Sequence, residues 1–124
     1  MGLGSAGAAT LNDKIKQFDP DRRIWLCGLV AELRPANAVD LLRPLMADPD
    51  ARVRARAVEA AGMVGSAATL GAVAPRLEDA DVSVRRAAAR SIGVLTGEGF
   101  AGDDGGVLKA RAWLADRAAR ASAG

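Results

Sequence analysis

The chain has 124 residues, 17 of them basic and 15 acidic, with one cysteine, no histidine, and four aromatic side chains against 28 alanines. So much alanine with so few aromatic and β-branched residues argues for packed helices and against a β-sandwich or barrel. The missing histidine and the single cysteine exclude the common zinc sets and histidine-based catalytic constellations, and a net charge of +2 is weak ground for a nucleic-acid partner.

Residues 1–9 are Gly, Ala and Ser with one Leu after the initial Met, and read as a disordered tail. They lack the charged and apolar regions of a secretory signal, and Ala6 stands where a myristoylation signal needs Ser or Thr. The expectation is a soluble cytoplasmic protein with a single domain over 10–120 and a short tail at 121–124. Leu11, Ile15 and Phe18 fall at helical spacing and predict a short helix that caps the N-terminal end. The run Ile24–Ala31 is apolar but far too short to cross a bilayer, so no membrane association is expected. A helix apolar all round is expected to be buried on more than one side, either by the capping helix or by a partner chain or second copy. Trp25, Leu26 and Leu29 are the candidates for that contact, with Trp25 as anchor. Cys27, inside the run, reads as a small buried hydrophobe.

From here the chain repeats itself. Asp19-Pro20-Asp21 is followed 29 residues later by Asp48-Pro49-Asp50, and 31 residues after that by Asp79-Ala80-Asp81. In this register Ile24, Val53 and Val84 correspond, as do Gly28, Ala57 and Ala88. Leu41–Met46 matches Ala72–Leu77. A period near 30 signifies stacked supersecondary units, none able to bury its own face alone. The first helix of each later unit spans 36–47 and 67–78, and Pro44 and Pro75 should kink both at the same place. The second helix starts at a capping Asp50 or Asp81 and ends at Gly65 or Gly97. Its apolar stripe is Val53, Ala57, Ala60, Ala61 and Val64 in one copy, and Val84, Ala88, Ile92 and Leu95 in the next. Alanine on these stripes lets helix axes come close. The fold class is therefore all-α, with three hairpins over about 10–34, 36–65 and 67–97. A terminal helix over 106–119 closes them through Val107, Leu108, Ala112 and Ala115.

The carboxylates carry little chemistry. Six aspartates occupy the repeated turns, where helix capping accounts for them. Asp103-Asp104 beside Gly105-Gly106 offers two adjacent carboxylates, short of the alternating oxygens a calcium loop needs. No glycine cluster has phosphate-loop spacing. No catalytic, metal-ligating or cofactor-binding residue is assigned, and no cofactor is expected. Arg52, Arg56, Arg86 and Arg90 lie off both the stripes and the turn motif. They form either a solvated face or a groove for an acidic peptide or phosphate. The neighbouring turn aspartates bring the local charge near zero, which disfavours nucleic acid.

The segments Asp48-x-x-x-x-Val53-Arg54 and Asp79-x-x-x-x-Val84-Arg85 each follow a proline-bearing helix and precede Ala-x-x-x-(Ala/Ile)-Gly. They resemble HEAT repeats of the short bacterial, lyase-like kind, and the resemblance covers about residues 19–97. It implies an α-solenoid in which the motif Asp of one repeat bonds the motif Arg of a neighbour, here Asp48, Arg54, Asp79 and Arg85. Trp25 stands where the first copy should carry its Arg, so the ladder should be broken at that end. Leu95–Phe100, Asp103, Asp104 and Trp113 are similar to the loop and helix that close such stacks. The implied function is a non-enzymatic protein-interaction or scaffold module, with a homodimer through the N-terminal repeat as one form of partner. The alternatives are an enzyme-accessory protein of the bilin lyase type and a weakly nucleic-acid-binding HEAT-like domain such as those of alkylated-base glycosylases. Neither group's catalytic motif is present.

Overall fold

Asp19, Asp50 and Asp81 each end an extended step of backbone and begin a helix, their carboxylates accepting the main-chain N–H groups of Arg22, Arg52 and Ser83 at 2.9, 2.9 and 2.8 Å. Each satisfies a donor that the first helical turn leaves without a partner. The computed structural model describes residues 13–123. Residues 13–17 are helical. They are followed by α1 (Pro20–Leu33), α2 (Ala38–Met46), α3 (Ala51–Val64), α4 (Ala67–Val73), a 3-10 turn (Ala74–Glu78), α5 (Val82–Thr96) and α6 (Asp104–Ala123). No strand occurs among the described residues, and the chain is an all-α repeat solenoid.

Helices α1, α3 and α5 lie side by side as one layer; α2 and α4 with its 3-10 turn form the second layer, and α6 closes on α5. The core between the layers is filled by Leu42, Val53, Val58, Val73, Leu77, Val84 and Ile92, with Cys27 on the buried face of α1. Small residues set the distance between α3 and α5. A Cβ on Gly62 would stand 2.7 Å from the Ser91 hydroxyl, and that hydroxyl donates to the Val58 carbonyl at 2.9 Å. The stripes read from sequence face inward: Ala57, Ala61 and Ala88 have no exposed surface.

The repeat register differs from the one the Asp-Pro-Asp motif suggests. The three capping aspartates are Asp19, Asp50 and Asp81, so the period is 31 residues throughout and Asp19 does not correspond to Asp48. In this register Cys27, Val58 and Ala89 share one fully buried position. The turns that end the second helices agree: Gly65 is left-handed at φ 69°, and Arg34, one period earlier, is left-handed at φ 46°. Gly97 ends α5 in the same conformation at φ 77°. Arginine there carries a steric cost that glycine avoids.

Other expectations change in detail. The kink is unequal: α2 continues as α-helix through Pro44, whereas at Pro75 the chain tightens into the 3-10 turn. The closing helix is longer than 106–119 and occupies most of the presumed tail at 121–124. Its inward stripe is Val107, Ala110 and Leu114, while Leu108, Ala112 and Ala115 face outward. Ile15 reaches the core, but Leu11 and the presumed tail at 1–9 lie outside the described residues. α1 is not buried on several sides: Trp25 is 66% exposed and Leu33 69%. No helix among the described residues is long and apolar enough to cross a membrane.

Candidate functional site

Two arrangements grow from the repeat. The first is the ladder. Arg54 sends Nε and Nη2 to the two carboxylate oxygens of Asp79, both at 3.1 Å, while its Nη1 donates to the Asp48 carbonyl at 2.8 Å. One guanidinium thus closes its own repeat's turn and grips the next. Both side chains are largely buried, at 16% and 5% exposed. The rung below is not broken. Arg23, one period before Arg54, does the same work: it donates to the Phe18 carbonyl, and its Nε lies 2.7 Å from Asp48. Trp25 corresponds instead to Arg56. Sequence reading missed Arg23, although its 31-residue spacing to Arg54 and Arg85 was the available signal. Arg85 keeps only the local half of the role, donating to the Asp79 and Ala80 carbonyls at 2.8 and 3.1 Å. Its expected carboxylate partner is not among its bonds. Asp48 and Asp79 also accept the main-chain N–H of Asp50 and Asp81, each at 2.9 Å, so each aspartate is tied to its own turn as well.

The second arrangement is an open groove of about 1020 Å³ across α1, α3 and α5. Positions one period apart line it in rows: Gly28, Glu59 and Arg90; Leu29, Ala60 and Ser91; Glu32, Met63 and Val94. Trp25, Arg34 and Arg56 line it as well. Ala60 and Ser91 in the middle row leave the space, and Gly28 faces nothing within 4 Å. Large apolar side chains on the walls remain open to solvent, Met63 at 63% and Val94 at 67% alongside Trp25.

Of the four arginines expected in a groove, only Arg56 and Arg90 line it. Arg52 sits at the start of α3, 3.0 Å from Asp50 and 3.7 Å from Asp21, and holds the Asp50 carboxyl below the ordinary aspartate range. Arg86 turns toward α6 and pairs with Asp104 at 3.1 Å, lowering that carboxyl in the same way. Both are off the apolar stripe, yet each is committed to a neighbouring turn. Arg56 in the groove pairs with Glu59 at 3.0 Å. Of the N-terminal candidates, Trp25 and Leu29 line the groove, and Leu26 packs against the core. Cys27 is wholly buried, and burial, aided by the nearby Asp48 charge, pushes its thiol up to about 12. Asp103 serves as a cap, accepting the Gly106 N–H at 2.7 Å, and no group of three or more potential metal ligands occurs among the described residues.

A search of curated proteins and one of solved structures returned no match. A family model of HEAT repeats matches residues 8–93, more than half of the chain and the whole of the three-hairpin stack described above except its last turn. With that match, the 31-residue register and the arginine–aspartate rungs, the chain belongs to the HEAT-repeat family.

Proposed function

We propose that this protein is a non-enzymatic interaction module that binds an apolar segment of a partner protein in the groove across α1, α3 and α5. HEAT repeats commonly mediate protein interactions, and the observation that carries the reading is the clustering of exposed apolar side chains. Trp25, Met63 and Val94 line the same open groove, each about two-thirds exposed. Burying side chains of this size stabilises a complex by roughly 1.5–3 kcal/mol each before ordering costs. Such residues gathered in one concavity mark an interaction surface better than the same residues scattered. The groove's carboxylates support the non-enzymatic part: Glu59 is neutralised by Arg56, and Glu32 stands exposed on the rim. The one thiol is buried behind the groove wall and protonated at neutral pH.

A random peptide library displayed on phage and selected on the immobilised protein tests this reading. Enrichment of apolar sequences that no longer bind the Met63→Asp protein, whose thermal midpoint is unchanged, is the expected result. Failure to enrich above an unrelated helical protein, or equal capture by Met63→Asp, defeats the proposal.

A further inference from the structure

We infer that Arg90 takes a carboxylate of the docked segment and sets the groove's preference for sequences that combine apolar and acidic residues; this rests on the groove reading above. The observation is an imbalance among the arginines. Most meet a carboxylate within 4.0 Å. Arg34 and Arg85 donate to main-chain carbonyls, and Arg117 lies over the Trp113 ring at 5.3 Å. Among the described residues, Arg90 alone has no hydrogen bond, ion pair or ring for its guanidinium.

Its position is nevertheless defined. A Cβ built on Gly102 would meet the Arg90 Nε and Nη2 at 3.1 Å, so the guanidinium lies over the bare backbone of the loop before α6. That contact seats it at the α5 side of the groove, on the same lining as Val94 and Ser91. The groove's charged groups are Arg34, Arg56 and Arg90 against Glu32 and Glu59, a surplus of one positive charge. With Arg56 and Glu59 paired to each other, Arg90 is the cation left on the α5 side. A guanidinium presents its donors as a fork that fits a carboxylate in two parallel hydrogen bonds, and partial exclusion of water by an apolar ligand strengthens them. A nucleic-acid strand fits worse: its phosphates would face Glu32 and Glu59, and only one unpaired guanidinium would meet them.

The experiment compares peptide selections on the wild-type protein, Arg90→Glu and Gly102→Val, with binding of the recovered peptides measured by fluorescence anisotropy. Arg90 is exposed, so its replacement spares the fold. Wild type is expected to enrich apolar peptides with Asp or Glu at a fixed offset, and Arg90→Glu to enrich Lys or Arg there. The wild-type peptides should bind Arg90→Glu at least about tenfold more weakly, the scale of a lost charge-assisted hydrogen bond. Gly102→Val displaces the guanidinium without removing it and should weaken the same peptides while leaving acid-free apolar peptides unaffected. Enrichment of apolar peptides with no acidic preference, unchanged by Arg90→Glu, overturns this inference and leaves the groove reading standing. Tighter binding of a short single-stranded DNA than of any selected peptide overturns both. So does self-association of the wild type through Trp25 that blocks every selected peptide.

Discussion

Arg23 and Trp25 show how a two-residue error in register redirects the reading of single residues. The Asp-Pro-Asp strings of the first two copies are identical, yet Asp19 caps a helix as Asp50 does, while Asp48 receives an arginine. A local string match cannot tell these roles apart, because both need only a short carboxylate at a turn. Spacing to the arginines can. The structure therefore predicts that Arg23→Gln loses more stability than Trp25→Arg. The first leaves Asp48, 7% exposed, without its ion partner, while the second changes an exposed groove residue. Urea titration should show a loss of about 3–5 kcal/mol for Arg23→Gln and within about 0.5 kcal/mol for Trp25→Arg. Equal losses would contradict the assigned rung.

Asp79 makes the ladder sensitive to acid. Burial raises its carboxyl pKa, but hydrogen bonds from Arg54 and the Asp81 N–H, with the charges of Arg54 and Arg76, outweigh burial and hold it below 3.8. The folded state thus binds this proton less tightly than the unfolded chain does. The contribution to stability is complete above about pH 4 and is lost as the pH falls through the lower, folded value. Asp79→Asn should remove that part of the acid limb in pH-dependent unfolding. An acid limb identical to the wild type's would contradict it. Asp50 and Asp104 are lowered as well, but their pairs are exposed and add little.

At the scale of elements, the helices were legible wherever a stripe of apolar residues ran between a capping aspartate and a glycine. α6 was legible as a helix but its inward face was not, because that face is chosen by contacts remote in sequence. Arg111 donates to the Leu77 carbonyl at 2.7 Å and pairs with Glu78, and Trp113 meets the Phe100 ring edge-on at 6.3 Å. These contacts rotate Leu108, Ala112 and Ala115 outward and bring Ala110 and Leu114 in. The α5–α6 connection depends on a close approach: a Cβ on Gly93 would stand 2.4 Å from the Phe100 nitrogen, a backbone atom with no room to yield. Gly71, in α4, faces nothing within 4 Å. Gly93→Ala is therefore expected to destabilise by about 1–3 kcal/mol, and Gly71→Ala to stabilise by roughly 0.5–1 kcal/mol through helix propensity. Urea midpoints moving in the same direction for both would refute the packing described for this corner.

For the whole molecule, stacking was legible because each unit must present the same small and apolar positions to its neighbours, and that demand writes a period into the sequence. The groove was only half legible. Arg52, Arg56, Arg86 and Arg90 share one property, distance from the apolar stripe, but what separates them is which carboxylate lies within reach. Arg52 and Arg86 find Asp50 and Asp104, Arg56 finds Glu59, and Arg90 finds no carboxylate. Exposed Met63 and Val94 gave no sign in sequence, since a helix's apolar residues are ordinarily assigned to its core. The groove claim is tested most directly by titrating an isotope-labelled sample with a selected apolar-acidic peptide and following its two tryptophan indole resonances together with the Met63 and Val94 methyls. Binding in the groove should shift Trp25, Met63 and Val94 and leave Trp113 stationary; movement of Trp113 with a silent Trp25 would place the peptide elsewhere.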